Sequence, residues 1–266
     1  LVEGGSVYSA DGGPTAGTIS AGDSLAALDE IVFNQKLLTM EQVLHAMSTN
    51  YEDMETVPAG PEIRAILLNK APKFGNDDER ADKWVVELED YIGSSYRYKY
   101  RSSKYGKGPV PCCYSYSQSP VTGNIAFGKS IGATPDGRKA GQPVNNGISP
   151  ANGSEKKGAT AACNSVMKLP SIWFQKGAIF NMRLSKGALD TDENKEKVIA
   201  MIKVLFENYG QQIQFNVVDN KVFKKAMEHP DEYKDLMVRV SGYSALFTSL
   251  SPECQMDVIN RAELEL

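Results

Sequence analysis

Apolar residues in the first hundred positions recur at the spacing of amphipathic helices. This spacing predicts four helices, over residues 24–34, 40–51, 61–71 and 79–98. Thr39 and Gln42 form a capping-box pattern at the start of the second helix. The fourth helix carries its apolar side chains on one side, as a helix that packs on a core does. Those residues are Trp84, Val85, Leu88, Tyr91 and Ile92.

The second half of the chain alternates between helix and strand patterns. Helices are predicted over 193–208 and 221–228, and strands over 212–219 and 236–240. Along the first strand, Ile213 and Phe215 point to one face, while Gln214 and Asn216 point to a second face that can line a polar cavity. Ser251 and Pro252 are typical of the start of a last helix. Strand–helix alternation predicts an α/β fold with parallel strands.

Composition narrows the classes of protein. The 266 residues are 41% hydrophobic, with a formal charge of −4 and a pI near 5.4. This balance gives no electrostatic attraction to nucleic acid or to an anionic membrane. No run approaches the roughly 20 apolar residues that cross a bilayer, and no signal-peptide pattern opens the chain. A cytoplasmic location is therefore the expectation.

The cysteines and histidines predict no metal site. Cys112, Cys113, Cys163 and Cys254 lack C-x-x-C spacing, and the adjacent pair cannot easily share a disulfide, so reduced thiols are expected. The chain has two histidines, His45 and His229. This number argues against a histidine-based zinc site and against a Ser-His-Asp triad.

One glycine follows the last predicted strand, in the string Arg239-Val240-Ser241-Gly242-Tyr243-Ser244-Ala245. Alone, this glycine is typical of an ordinary turn, as is the Pro-Asp-Gly within GATPDGRKAG at 132–141. Further strings stand in order at 72–78, 158–160, 165–169 and 214–219. Together they resemble the C-terminal part of the glycyl radical enzymes.

This resemblance implies a role for the glycine loop. Gly242 would store an unpaired electron, because a glycine α-carbon can flatten and delocalise spin into its two amides without a crowding Cβ. Arg239 and Tyr243 match fixed motif positions, and we expect them to anchor the loop by a charge-assisted hydrogen bond and by packing respectively. The resemblance further implies that no cofactor is bound and that the radical is installed by an activating enzyme with an iron–sulfur cluster and S-adenosylmethionine.

The resemblance also implies a cysteine that accepts the radical, commonly in a Gly-Cys-x-Glu context, which this sequence lacks. Cys112 and Cys113 lie too near Gly242 in sequence for the adjacent cysteine pair of the pyruvate formate-lyase branch, so buried thiols are favoured over reactive ones. Ser115, Tyr116 and Gln118 follow in a segment that would line the substrate cavity. An ordinary strand explains these three residues equally well.

The fold implied by the resemblance is a ten-stranded α/β barrel of two half-barrel sheets, with helices outside and the glycine loop inside. Residues 1–143 would end the barrel, and 144–266 would form the glycine-radical domain. The chain opens on Leu-Val-Glu-Gly-Gly, without methionine, so we expect the C-terminal portion of a longer polypeptide or one part of a split enzyme.

The expected function is that of an oxygen-sensitive, anaerobic lyase. GATPDGR and Tyr243-Ser244-Ala245 resemble the dehydratase and decarboxylase branch, although the strings at 143–147 and 158–160 differ from that branch. The reaction would cleave a C–O, C–N, C–S or C–C bond of a small molecule. Formate acetyltransferase-type acyl transfer and a non-catalytic, radical-bearing spare-part protein are the alternatives. The expected partners are the activating enzyme, the upstream portion with its cysteine, and a second copy in a homodimer.

Overall fold

The computed structural model describes residues 12–98, 101–102, 112–113 and 115–264, which fold into helices and short strands. The α-helices of these residues are α1 (Thr18–Ala27), α2 (Met40–Ser48), α3 (Gly60–Asn69), α4 (Glu79–Tyr98), α5 (Gly123–Ser130), α6 (Ala159–Met167), α7 (Asp192–Glu207), α8 (Asn220–Glu228) and α9 (Pro252–Ile259). The strands are β1 (Gly12–Pro14), β2 (Arg101–Ser102), β3 (Cys112–Cys113), β4 (Ser115–Ser117), β5 (Asn181–Leu184), β6 (Gln214–Asn216), β7 (Met237–Arg239), β8 (Ser244–Leu246) and β9 (Glu263–Leu264).

Local signals set several helix ends. α4 has the predicted bounds, and α2 begins with the predicted capping box, in which Gln42 N–H donates to Thr39 Oγ1 and Thr39 N–H donates to Gln42 Oε1. The hydroxyl of Ser251 accepts from the N–H of Cys254 at the start of α9. The predicted helix over 24–34 is wrong at its start, because α1 already begins at Thr18 and continues as a π-helix over Leu28–Asn34.

Helix α1 packs closely on α4. A Cβ on Gly22 would lie 2.4 Å from Val85 Cγ2, so the missing side chain allows the two helices to approach each other. Asp23, on the same helix, accepts a 2.7 Å hydrogen bond from the Phe74 N–H. Lys73 Nζ donates to the Asp136 carbonyl at 2.8 Å. The segment 72–78 therefore contacts α1 through Phe74 and the loop at 132–141 through Lys73.

The central sheet has the order β6-β5-β9, and all of its strands are parallel. β1 and β4 also pair in parallel, whereas β2–β3 and β7–β8 are antiparallel pairs. The α/β class and the parallel connectivity of the central sheet are confirmed. The sheets seen in the described residues have two or three strands, and the ten-stranded barrel and the boundary at 143/144 stay predictions.

Three separate apolar clusters fill the interior of the part of the chain that the structure describes. The largest surrounds β4, β5, α6 and α7 and includes Phe174, Phe180 and Leu205. A second joins α1, α2 and α3, and the third lies between α8, the β7–β8 hairpin and α9, where Phe223 stacks on Phe247. Among the helices of the described ranges, none has the length and apolarity needed to cross a membrane.

Candidate active site

Gly242 lies at the tip of the β7–β8 hairpin. Arg239 pairs with Ser244 at the end of the ladder, and the N–H of Val240 donates to the carbonyl of Tyr243 at 2.9 Å, which closes the turn. Gly242 has a φ of +77°, a conformation that favours glycine, and its backbone is exposed in the described structure. A Cβ here would lie 3.1 Å from Ile179 Cδ1.

Two buried amide side chains of β6 hold this hairpin. Gln214 Oε1 accepts from the Gly242 N–H at 3.1 Å and from Arg239 Nη2 at 3.0 Å. Asn216 pairs with the backbone of Arg239 in both directions, accepting from its N–H and donating to its carbonyl, each at 2.8 Å. The side chain of Asn216 thereby replaces the backbone of a neighbouring strand.

The residues beside Gly242 are fixed by a third set of contacts. Arg261 Nη2 donates to the Val240 carbonyl at 2.6 Å and is paired with Asp257 at 3.2 Å, with both charged side chains buried. Ser241 Oγ donates to Asn146 Oδ1 at 2.8 Å. A buried ion pair with additional hydrogen bonds orients its partners well, so the backbone before Gly242 has a defined position.

Arg239 and Tyr243, the predicted supports of the loop, occupy different environments. Arg239 donates from one nitrogen to Gln214 and from Nη1 to Ser244 Oγ at 3.1 Å, a geometry that suits an anchoring guanidinium. Tyr243 is 37% exposed and lies outside the buried cluster of the hairpin. The anchoring roles of both residues stay predictions.

Tyr116 and Gln118, two of the predicted cavity residues, are buried around a carboxyl group. Tyr116 Oη donates to Glu89 Oε2 at 2.6 Å, Gln118 Nε2 donates to Glu89 Oε1 at 2.7 Å, and Thr18 Oγ1 donates to the same oxygen at 2.6 Å. Burial raises the pKa of Glu89, although these three donors oppose the rise. The side chains of Tyr116 and Gln118 therefore satisfy Glu89.

The strand that carries these residues leads to the glycine loop. The carbonyl of Gln118 accepts from the Ile179 N–H at 3.0 Å, and the side chain of Ile179 lies against Gly242. Ser115, the third predicted residue, is not one of the three donors that Glu89 has in the described structure and instead lines a cavity of about 510 Å³ with Trp173 and Lys176. Their assignment to a substrate cavity stays a prediction.

The cysteines of the described residues form no metal site. Within these ranges, no group of three or more His, Cys, Asp and Glu side chains has metal-binding geometry. Cys163 is buried, and burial raises its thiol pKa to about 12, whereas Cys254 is half-buried. Cys112 and Cys113 pair in β3 with β2, and the predicted preference for buried over reactive thiols there stays untested.

Sequence reasoning found the strand of Gln214 and Asn216 but not their partners. Their alternation with apolar residues predicted a polar face, and the structure shows that face buried against the hairpin. Sequence reasoning also assigned no role to Arg261. Its buried guanidinium binds the backbone of the loop.

Comparison with known proteins assigns both halves of the chain. A glycine radical family model matches residues 144–248, and a pyruvate formate lyase-like model matches residues 1–127. The probable dehydratase YbiW of Escherichia coli is 37% identical over 265 residues, which is 99% of this chain and 32% of the relative. The trans-4-hydroxy-L-proline dehydratase of Clostridioides difficile is 35% identical over 93% of this chain and 29% of its own length.

A solved dehydratase structure is similar to this chain in fold. The glycerol-bound form of the B12-independent glycerol dehydratase from Clostridium butyricum superposes with a TM-score of 0.87 at 36% identity, covering 99% of this chain and 32% of that structure. The chain thus spans about a third of the length of the relatives that it matches. Two family models in the expected order, together with this structural similarity, show that the chain belongs to the glycyl radical enzymes.

Proposed function

We propose that Gly242 is the radical-storing residue of an anaerobic glycyl radical lyase. The observation that carries the proposal is the position of Gly242 at a hairpin tip with a φ of +77°, inside the segment that matches the glycine radical family. Spin on this α-carbon delocalises into the two flanking amides, which requires a planar centre without a Cβ. Glycine is the residue that meets this requirement.

The proposed cycle is a series of hydrogen transfers. A radical S-adenosylmethionine activating enzyme takes one hydrogen atom from the Gly242 α-carbon and leaves the glycyl radical. A cysteine outside this chain returns a hydrogen atom to Gly242 and becomes a thiyl radical. The thiyl then takes a hydrogen atom from a small substrate, after which a C–O, C–N, C–S or C–C bond breaks.

A dehydratase-type lyase is favoured over acyl transfer by the names of the relatives. They include the dehydratases above and the isethionate sulfite-lyase of Bilophila wadsworthia, which is 35% identical over 90% of this chain and 27% of its own length. The ten-stranded barrel, the homodimer and the cytoplasmic location belong to the same proposal.

Enclosure of Gly242 is a separate requirement, because an exposed radical would react with oxygen. The family resemblance implied that the glycine loop lies inside a barrel. In the described residues, however, Gly242 and Tyr243 are exposed, so this part of the chain does not enclose the loop by itself. The relatives are about three times as long as the match. We therefore assign the enclosing surface, like the cysteine, to residues outside this chain.

Electron paramagnetic resonance tests the radical assignment. After anaerobic activation of the intact protein, we expect a doublet from coupling to the remaining α-hydrogen of Gly242. The doublet should be absent from Gly242→Ala, while Gly177→Ala, at a glycine with a φ of +94° and open space around it, should retain it. Absence of the doublet in the wild type, or its survival in Gly242→Ala, would refute the proposal.

A further inference from the structure

We infer that Gln214 is a positioning residue that sets the orientation of the radical-bearing amide, an inference that rests on the proposed function of Gly242. Its Oε1 accepts from the Gly242 N–H and from Arg239, at 3.1 and 3.0 Å. Gln212 Nε2 approaches the same oxygen at 3.5 Å, the outer limit of a hydrogen bond, so the two shorter bonds to the loop are its principal contacts. Gln214 thus binds the glycine itself, whereas Asn216 binds the hairpin three residues earlier.

The direction of the Gln214 amide is fixed by its surroundings. An N–H and a guanidinium can only donate, so the oxygen of Gln214 must face the loop. The Nε2 at the other end donates to Asn181 Oδ1, on the neighbouring strand and at the paired position of the parallel register. Because Gln214 is 5% exposed, water offers little alternative to either bond.

This bond acts on the atoms that share the spin. The Gly242 nitrogen is one of the two groups into which an unpaired electron at the α-carbon delocalises, and the overlap depends on the angle between the amide plane and the radical centre. A hydrogen bond donated by the Gly242 N–H holds the amide plane and polarises the N–H bond, which increases the electron density on the nitrogen. Removing the acceptor should therefore change the spin distribution as well as the mobility of the loop.

Three substitutions separate these effects in the intact protein. Gln214→Leu removes the acceptor, and Gln214→Glu retains it. In the second variant, the Nδ2 of Asn181, which is buried and has no hydrogen-bond partner in the described structure, can turn to donate to the other carboxylate oxygen. Gln211→Leu is the matched control, since this exposed glutamine donates to Ser171 and makes no contact with the loop.

Amide hydrogen exchange of the unactivated protein tests the bond without any radical. Loss of one neutral and one charged hydrogen bond should raise the exchange rate of the Gly242 N–H about 30-fold in Gln214→Leu. The rate should stay within about threefold of wild type in Gln214→Glu and Gln211→Leu. Equal exchange in wild type and Gln214→Leu would overturn the inference.

Electron–nuclear double resonance of the activated protein tests the positioning role. The coupling of the exchangeable Gly242 N–H proton, identified by comparing H₂O with D₂O, should change in Gln214→Leu and return in Gln214→Glu. Faster exchange with an unchanged coupling would make Gln214 purely structural and overturn the inference, with the radical assignment intact. A wild type without a doublet would refute the proposed function, and hydrogen exchange would then decide on the Gln214 contact alone.

Discussion

The buried carboxyl of Asp23 should make the stability of this protein fall as pH rises towards neutrality. Asp23 has no exposed surface, its Oδ1 accepts from the Phe74 N–H, and its Oδ2 has no partner in the described structure. Burial raises the pKa of Asp23 from its ordinary value of 3.8 to about 7, although the Lys73 ammonium and the Phe74 N–H oppose the rise.

The direction of the pH effect on stability follows from comparing the folded protein with the unfolded chain. The folded protein binds the Asp23 proton more tightly than the unfolded chain, so this contribution is fully present below pH 3.8 and is lost as pH rises through about 7. A shift of about three pKa units corresponds to about 4 kcal/mol at full ionisation. Between pH 5 and pH 8 the loss should be about 2 to 3 kcal/mol, since part of it has already occurred below pH 5.

Asp23→Asn tests this directly, because asparagine keeps an oxygen for the Phe74 N–H and cannot ionise. Urea unfolding of wild type and variant at pH 5 and pH 8 gives the free energy of unfolding of each. The advantage of the variant should be larger at pH 8 by about 2 to 3 kcal/mol. The exposed Asp190→Asn serves as the control and should show no such change. An equal difference at both pH values would refute the argument.

Three further outcomes follow from the contacts and burial of individual residues. Asn216→Leu should lower the free energy of unfolding by about 2 to 4 kcal/mol, because it leaves the backbone N–H and carbonyl of Arg239 without partners. Urea unfolding measures this loss, and a loss below about 1 kcal/mol would contradict the prediction. Iodoacetamide at pH 8 should alkylate Cys254 and spare Cys163, since Cys163 is buried and burial raises the pKa of its thiol to about 12. Peptide mass spectrometry measures the alkylation of each cysteine, and rapid alkylation of both would contradict this prediction. Gly147→Ala should abolish soluble expression because its Cβ would lie 2.2 Å from a backbone carbonyl oxygen, whereas Gly177→Ala, also at positive φ but with open space around it, should remain soluble.

The sequence predicted elements whose signals are local. α4 has its predicted bounds because 20 residues with one apolar side leave little ambiguity, and the starts of α2 and α9 follow from capping side chains. α1 and α6 lack such signals. All the buried residues of α1 except Ile19 are small or polar, and α6 reads Ala-Thr-Ala-Ala-Cys-Asn-Ser-Val-Met, so neither shows a periodic apolar stripe.

The site was predictable to the level of one residue and one strand face. Gly242 was found through its motif, and the polar face of β6 through its alternation. The bonds of Gln214 and Asn216 to the hairpin span 23 to 28 residues, and no periodicity in a single sequence specifies such a pairing. Likewise, the link from Gln118 to Glu89 depends on how α1, α4 and β4 pack together.

The hairpin has an apolar cluster of its own and meets the central sheet through side-chain amides and a guanidinium. If the tip moved away, it would uncover mainly amide and guanidinium groups that water can hydrate, together with the apolar side chain of Ile179. Such an interface can open and close repeatedly without exposing a large apolar surface that would promote aggregation. A radical carrier visited by another enzyme would need that property.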